Sequence, residues 1–250
     1  MPWAVIGGSG ALPLALSLQP VEVPESRYGS ASADVLAGEV GTQTVLFLAR
    51  HGTPHRIAPH DINYRANIDV LRGLGVEGVI ALNTVGGISA SAVAGSLHLP
   101  DQIIDYTWGR EHTFSDAEEL IHADFADPFA DGLRRRLRQA GDAAGVAVHQ
   151  GGVYGATQGP RFETAAEIER MARDGCDLVG MTGMPEAALA REAGLPYAML
   201  SLVVNPAAGR ARDPFDLDAI AAVSAAGMAD VERLLRRFFA AVDLQGGKRR

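Results

Sequence analysis

The stretch Tyr-Ala-Met-Leu-Ser-Leu-Val-Val-Asn, residues 197–205, is a largely apolar run that ends on a polar amide. A run of this kind is typical of a strand buried on both faces of a sheet. Other short apolar runs end in small or polar residues, at 4–6, 45–49, 79–82, 102–104, 152–154 and 178–181. Helical patterns lie between them, at 64–74, 128–144, 164–174, 185–193 and 217–241. The alternation predicts an α/β layer fold around a largely parallel sheet.

Length and hydrophobic content predict a single domain. The chain has 250 residues, of which 47% are hydrophobic, and this is ample for one buried core. We expect the domain to cover residues 1–242 and residues 243–250 to form a flexible tail. The longest polar insertion, residues 107–127, is expected to be a loop at the surface or at an interface.

Charge and cysteine content exclude several classes of protein. The net charge of −8 at pH 7 gives no attraction for a phosphate backbone, so we expect no nucleic-acid partner and a small-molecule ligand instead. Cys176 is the only cysteine, which excludes an intrachain disulfide and a thiolate metal cluster. No apolar run approaches the ~20 residues that span a bilayer, and the N-terminus lacks a basic signal-peptide region. A cytoplasmic protein without a membrane partner is therefore expected.

Polar groups follow the predicted strands, where open α/β sheets bind ligands. Gly-Gly-Ser-Gly at 7–10 can bring backbone N–H groups and a hydroxyl to an anion, although a plain tight turn explains it equally. Arg50 can donate two hydrogen bonds to a phosphate, or can simply lie at the surface. His51, His55 and His60 raise the alternative of a metal site, but no acidic or cysteine partner pattern accompanies them. No metal is therefore expected.

Two more strand ends belong to the same predicted edge. Asn-Thr-Val-Gly-Gly at 83–87 lets the backbone approach a ligand closely. Thr182 supplies a hydroxyl after the run at 178–181, although a helix cap would also explain this threonine. The four segments together indicate a binding site, because each follows a predicted strand, and open α/β sheets bind ligands at the carboxyl ends of their strands.

The octet Thr-Gln-Gly-Pro-Arg-Phe-Glu-Thr, residues 157–164, points to the shape of the ligand. Phe162 offers an aromatic face beside the acceptor-only carboxylate of Glu163. Asn205 could hold the opposite edge of a flat heterocycle. The pairing predicts a purine pocket.

Together these motifs resemble the trimeric purine nucleoside phosphorylase and methylthioadenosine phosphorylase family. The matching segments run in order from about residue 4 to about 240, and include 7–10, 50–52, 63–68, 83–87, 159–163 and 179–186. The resemblance implies a single α/β domain of the nucleoside phosphorylase type, in which helices flank a mixed, barrel-like sheet. It also implies a homotrimer with sites near the subunit interfaces. No organic cofactor is implied, and inorganic phosphate is the co-substrate.

The resemblance also assigns roles by position. It implies that phosphate is bound by Ser9, Arg50, Thr182 and the backbone at His51 and Thr84. The nucleoside would contact Asn83, Tyr154, Phe162, Glu163, Met181, Asn205 and Ala207. His122 matches a position that reaches into a neighbouring subunit's 5′ pocket, although a loop histidine is often only solvated. Asn205, Glu163 and Arg50 are the expected catalytic groups.

The hydrogen-bonding groups at the base site favour a 6-oxopurine. Asn205 can donate to O6 and accept from a protonated N7, while Glu163 accepts from N1–H. A 6-aminopurine would set the Glu163 carboxylate against a lone pair, at roughly 1–3 kcal/mol for such a mismatch. In the resembling family, adenosine-type phosphorylases carry aspartate and serine at these two positions. This chain departs from both.

The expected 5′ pocket is apolar. The resemblance places Leu217 where ordinary purine nucleoside phosphorylases have a histidine for the 5′-hydroxyl, although Leu217 could simply be the first core residue of its helix. An apolar 5′ pocket beside a 6-oxopurine site predicts S-methyl-5′-thioinosine as the best substrate. Inosine and guanosine are the second choice, and methylthioadenosine is less favoured.

Two rival classes remain on the same scaffold. A nucleosidase would use water in place of phosphate, but the anion site formed by Ser9, Arg50 and Thr182 argues against it. A non-catalytic purine-binding protein would not need both the phosphate and the base groups. A dinucleotide-dependent enzyme is excluded because residues 7–10 are not followed by the glycine pattern that such enzymes use.

Overall fold

A computed structural model describes residues 1–8, 17–211 and 216–246. Within them the strands are β1 (Trp3–Gly7), β2 (Gln19–Pro20), β3 (Leu36–Val40), β4 (Gln43–Ala49), β5 (Val79–Gly87), β6 (Leu97–Leu99), β7 (Gln102–Asp105), β8 (Val148–Gln150), β9 (Val153–Ala156), β10 (Leu178–Gly180) and β11 (Tyr197–Pro206). The helices are α1 (Tyr64–Gly73), α2 (Asp131–Ala144), α3 (Ala165–Arg173), α4 (Glu186–Glu192) and α5 (Leu217–Gly246).

These strands form one mixed sheet of 11 strands that branches at β5. The first half of β5 lies between β1 and β11 and is parallel to both. Its last residues, Gly86 and Gly87, pair with β10 in the antiparallel direction. Strand β11 pairs on its other side with β6, which continues to β8. The branch brings the ends of β1, β4, β5, β10 and β11 to one region of the sheet.

Helices cover the sheet in pairs and bury its apolar side chains. On one side α1 and α4 pack through residues such as Ile68, Leu71 and Leu189. On the other side α2 and α5 pack through Leu137 and Phe238, which are almost fully buried. Helix α3 closes a smaller third cluster. The result is one α/β domain in which helices flank a mixed sheet, as predicted.

Most predicted elements are confirmed within a few residues, and the differences have physical causes. Strand β5 continues to Gly87 instead of ending at residue 82, because its polar end pairs with β10 and β11. Strands β2, β3, β6 and β8 were not predicted; three of them are only two or three residues long, and β3 (Leu36–Val40) contains Gly38 and Glu39. Helix α5 continues past the predicted end at 241 into the predicted tail, of which residues 247–250 lie outside the described residues.

Two local features position the base-site residues. Thr164 caps α3, because its hydroxyl accepts from Glu167 N at 3.1 Å while the Glu167 carboxylate accepts from Thr164 N at 2.7 Å. This capping box fixes the backbone directly after Glu163. In β11, the pairing with β5 shifts register between Val203 and Asn205, which leaves Val204 as an extra residue. Such a bulge redirects the side chain that follows it.

The segment at 107–127 has neither helix nor strand, in agreement with its prediction as a loop. None of the helices in the described part of the chain combines the length and the apolar character needed to cross a membrane.

Candidate active site

A cavity of about 1010 Å³ opens where the strand ends converge. Its walls come from segments that are far apart in sequence: Gly8, Arg50, His51, 83–86, Pro160, Phe162, Glu163, 179–182 and 204–209. One more wall comes from the start of α5, through Ala219, Ile220 and Val223. Ten of the fourteen predicted site residues therefore line one cavity.

Arg50 forms the floor of one end of this cavity and is fully buried. Its Nε and Nη2 donate to the two carboxylate oxygens of Glu186 at 2.7 and 2.8 Å, and Nη1 donates to Leu82 O at 3.1 Å. Glu186 also accepts from the Tyr197 hydroxyl at 2.9 Å. A guanidinium has five N–H donors, so two remain for a ligand. Arg50 is a fixed cation at the cavity.

Electrostatics keep Arg50 protonated. Burial alone lowers the pKa of this guanidinium, but the charge of Glu186 and the hydrogen bonds to it outweigh burial and raise the pKa above its usual value. The approach to the cation is open because residue 8 is glycine. A β-carbon there would lie 3.3 Å from Arg50 Nη1.

Thr182 and Asn83 form a second polar pair at the same end. Asn83 Nδ2 donates to Thr182 Oγ1 at 2.8 Å, so the hydroxyl hydrogen of Thr182 is left for another acceptor. Asn83 is only 3% exposed, and its Oδ1 has no hydrogen-bond partner among the described residues. A buried acceptor without a partner at a cavity wall indicates that a ligand group completes the pair.

His51 is neutral at physiological pH. Its ring is buried, and burial, with smaller effects from Arg50 and His55, lowers its pKa to about 4. Nδ1 lies 2.8 Å from Ile57 O, so Nδ1 carries the hydrogen and donates to that carbonyl. The His51 and His55 rings stack with centroids 4.2 Å apart. Among the residues that the structure describes, no group of three or more His, Cys, Asp or Glu side chains could hold a metal ion.

The other end of the cavity carries the groups predicted to read a base. Phe162 is half exposed and presents its ring at the wall. Glu163 accepts from the Thr157 hydroxyl at 2.6 Å. Asn205, which follows the bulge in β11, donates from Nδ2 to Pro206 O at 2.7 Å. Met181 and Ala207 also line the cavity.

Four predicted residues do not line the cavity within the described chain. Tyr154 is fully buried behind the wall, where its hydroxyl accepts from Thr182 N at 3.4 Å, so it supports the site instead of facing a ligand. Leu217 is 65% exposed, and its neighbours Ile220 and Val223 face the cavity in its place. His122 is exposed in the long loop. Ser9 lies outside the described residues.

Sequence reasoning missed the residues that hold the site from behind. Glu186 lies in the segment 179–186 that resembles the family, but an acid at a helix start normally stabilises the helix itself. Its pairing with Arg50 joins positions 136 residues apart, which no local pattern reveals. Arg110 lies in the polar loop at 107–127, yet it is only 7% exposed and donates to the backbone carbonyls of Met181 and Thr157. No signal in the sequence distinguishes it from a solvated arginine.

A fixed cation with open hydrogen-bond donors at one end, and an aromatic ring with a carboxylate and an amide at the other, define a site that joins an anion to a heterocyclic substrate. At the carboxyl edge of a mixed α/β sheet, this arrangement is that of a nucleoside-processing transferase. The chain belongs to the phosphorylase superfamily, whose family model matches residues 2–240. The prediction of an enzyme of this class is confirmed.

Relatives of known name agree with this assignment. A probable S-methyl-5′-thioinosine phosphorylase of Pseudomonas syringae pv. tomato is 48% identical over 96% of this chain and 98% of its own. A 6-oxopurine nucleoside phosphorylase of Pyrococcus furiosus is 44% identical over 82% of this chain and 80% of its own. The crystal structure of a methylthioadenosine phosphorylase from an antarctic soil metagenomic library superposes with a TM-score of 0.90 at 33% identity, over 97% of this chain and 86% of that one.

Proposed function

We propose that this chain catalyses the phosphorolysis of S-methyl-5′-thioinosine to hypoxanthine and 5-methylthioribose 1-phosphate. The observation that carries the proposal is the meeting of Glu163 and Asn205 in one cavity with the Arg50 cation and an apolar wall from α5. The relatives named as S-methyl-5′-thioinosine phosphorylases, at 48–53% identity, support the same substrate.

Phosphate binds at the Arg50 end. The remaining N–H groups of Arg50 and the hydroxyl of Thr182 donate to phosphate oxygens, and the Thr84 segment of β5 lies along the same wall. Asn83 Oδ1 accepts from a ribose hydroxyl or from a protonated phosphate oxygen. These groups are held by Glu186 and by each other before the substrate arrives, so little reorganisation accompanies the reaction.

The reaction exchanges one bond at C1′ for another. The C1′–N9 bond breaks and its electron pair leaves with the purine, while a phosphate oxygen donates the electron pair of the new C1′–O bond. The proton of hydrogenphosphate ends on the released base. The anion below C1′ stabilises the positive charge that develops on the ribosyl ring and then captures it. Asn205 assists the leaving base by accepting from a protonated N7.

Base selectivity comes from the opposite end of the cavity. Phe162 stacks on the purine, Asn205 donates to O6, and the Glu163 carboxylate accepts from N1–H. With a 6-aminopurine, the Glu163 carboxylate would face a lone pair at N1. The proposal therefore favours hypoxanthine over adenine.

The 5′ group meets the start of α5. Ala219, Ile220 and Val223 line the cavity, and their spacing places them on one face of the helix. An apolar face suits a methylthio group and leaves a hydroxyl without a partner. The competing candidate is a general 6-oxopurine nucleoside phosphorylase, the name carried by the Pyrococcus relative. Asp216 at the edge of the same wall is the feature that favours it, because its carboxylate could accept from a 5′-hydroxyl.

We further propose that the chain works as a homotrimer without a cofactor. Two large apolar side chains of the 107–127 loop, Trp108 and Leu120, are each 72% exposed, and a subunit interface would bury them. His122 lies in the same loop, from which it would reach a neighbouring site. Light scattering on the purified protein tests this assembly, and a monomer with full activity would overturn it.

The experiment that tests the function is release of hypoxanthine from S-methyl-5′-thioinosine, with and without phosphate, in protein treated with a chelator. We expect release only with phosphate, together with one equivalent of 5-methylthioribose 1-phosphate. Equal release without phosphate would identify a nucleosidase. Binding of the nucleoside without turnover would identify a non-catalytic protein.

A further inference from the structure

Thr157 lies directly behind the base-site carboxylate and is held from two sides. Its N–H donates to Gly180 O at 2.8 Å, and its carbonyl accepts from Arg110 Nη2 at 3.1 Å. The same guanidinium donates to Gln158 O at 2.8 Å and to Met181 O at 2.9 Å. Thr157 is therefore fixed relative to Gly180 and Met181, which line the cavity.

Arg110 is suited to this role because it is not committed to a carboxylate. In the part of the chain that the structure describes, its hydrogen bonds go to carbonyl and hydroxyl oxygens and none goes to a carboxylate. Buried polar groups that are fully hydrogen-bonded restrict their partners to one arrangement. Arg110 thus holds the Thr157 backbone, and with it the direction of the Thr157 hydroxyl.

That hydroxyl points at Glu163. Thr157 Oγ1 lies 2.6 Å from Glu163 Oε1 and 3.3 Å from Gly180 O, and it has one hydrogen to donate. The shorter contact to an ionised acceptor is the stronger one. Because the α3 capping box at Thr164 holds the backbone after Glu163, the Thr157 hydroxyl is the group that selects the orientation of the Glu163 side chain.

We propose that Thr157 is a positioning residue that sets base selectivity by fixing the Glu163 carboxylate. The inference rests on the proposed function, in which Glu163 reads N1–H of a 6-oxopurine. With Oε1 engaged by Thr157, Oε2 is the oxygen presented to the base. A fixed carboxylate is already placed to accept the hydrogen bond from N1–H, and it cannot turn away from the lone pair of a 6-aminopurine. A carboxylate that is free to rotate would bind the 6-oxopurine less strongly and would repel the 6-aminopurine less strongly.

The test compares Thr157→Val and Thr157→Ala, which lack the hydroxyl, with Thr157→Ser, which keeps it. For each variant we would measure kcat/KM for S-methyl-5′-thioinosine and for S-methyl-5′-thioadenosine, and KM for phosphate. We expect Val and Ala to lower the ratio of the two kcat/KM values about 10-fold, as the loss of a hydrogen bond to a charged group implies. Serine should preserve the ratio, and KM for phosphate should stay unchanged in all three variants.

Glu163→Gln and the double variant with Thr157→Val separate this inference from the proposed function. If Thr157 acts through Glu163, then Thr157→Val has no further effect on the ratio once Glu163 is replaced. If Glu163→Gln leaves the ratio unchanged, the proposed base reading fails and the inference fails with it. If Glu163→Gln lowers the ratio and Thr157→Val does not, only the inference is overturned. Equal losses on both substrates from Thr157→Val, with a raised KM for phosphate, would show a merely structural role and overturn it too.

Discussion

Arg50 and Glu186 show how one residue of the site depends on another that lies far away in sequence. Both side chains are almost completely buried, and each would be costly to bury alone. Their two parallel hydrogen bonds fix the plane of the guanidinium. In the proposed function, phosphate binding at this end of the cavity therefore depends on a carboxylate that need not touch phosphate.

Replacement of Glu186 by glutamine should destabilise the protein strongly. The variant leaves the Arg50 cation buried without a counter-charge, so we expect the free energy of unfolding to fall by about 3–5 kcal/mol. Urea denaturation followed by circular dichroism measures this change. The matched control is Glu169→Gln, which breaks an exposed ion pair with Arg210 and should cost at most about 1 kcal/mol. Equal losses in the two variants would show that the buried pair is not held as described.

For single residues, the sequence reveals the side chains that would contact a ligand better than the side chains that hold other site residues in place. Glu163 and Asn205 follow apolar or glycine-rich segments, and their chemistry suggests a heterocycle wherever the chain brings them together. Glu186 and Arg110 have roles that exist only through distant partners. Tyr154, which is buried behind the cavity wall, shows a related limit, because its neighbours in the sequence do not reveal which face of β9 is turned toward the cavity.

Strand β11 and helix α5 shape the substrate end of the cavity. Strand β11 departs from regular geometry, and α5 presents other residues to the cavity than the predicted Leu217. The bulge at Val204 in β11 redirects Asn205, and the residues from 204 to 209 then follow the cavity wall. Helix α5 offers Ala219, Ile220 and Val223 to the same cavity, while Leu217 at its first turn faces outward. An apolar pattern in the sequence identified the helix correctly, but its rotation about the axis depends on packing against α2 and the sheet.

The apolar face of α5 should decide the 5′ preference. Val223→Thr keeps the shape of the side chain and adds a hydroxyl, so it should favour a 5′-hydroxyl over a 5′-methylthio group. We expect the ratio of kcat/KM for S-methyl-5′-thioinosine to kcat/KM for inosine to fall about 5-fold, in line with roughly 1 kcal/mol for a desolvated hydroxyl.

Ala222→Ser is the matched control for this change, because residue 222 lies on the exposed side of the same helix. It adds a hydroxyl at the neighbouring position and should leave the ratio unchanged. If Val223→Thr also leaves the ratio unchanged, the 5′ group does not contact this face of α5.

For the whole molecule, two buried histidines couple folding to pH. Burial, together with the adjacent His149, lowers the pKa of His98 to about 4 from a usual value of 6.5, and burial lowers that of His51 to about 4 as well. Between about pH 4 and pH 6.5, these two histidines bind protons in the unfolded chain but not in the folded chain. Stability is therefore complete above about pH 6.5 and is lost as the pH falls toward 4, at about 1.4 kcal/mol per pH unit for each histidine.

His98→Gln should make stability less dependent on pH. We expect the slope of the unfolding free energy between pH 6.5 and pH 4.5 to decrease by about 1 kcal/mol per pH unit relative to the parent protein. His98 lies in β6 and is not among the residues that line the cavity, so activity at pH 7.5 should be retained. An unchanged slope in His98→Gln would contradict the buried neutral state of this imidazole.

The overall architecture follows more closely from the sequence than the site does. The apolar runs at 79–82 and 197–204 are typical of strands in the middle of a sheet, and they become the paired strands β5 and β11. The short strands β6 and β8 carry too few residues for a pattern, and their pairing depends on β11 being in place. The branch at β5, which gathers the strand ends around one cavity, is therefore a property of the folded chain and not of any one segment.

The central claim is most directly tested by the substrate preference of the purified enzyme at saturating phosphate. We would measure kcat/KM for S-methyl-5′-thioinosine, S-methyl-5′-thioadenosine, inosine and guanosine in the same assay. The account predicts that S-methyl-5′-thioinosine exceeds each of the others by at least about 10-fold, since both the base end and the 5′ end select it. A higher value for S-methyl-5′-thioadenosine would contradict the roles of Glu163 and Asn205, and a higher value for inosine would contradict the apolar wall of α5.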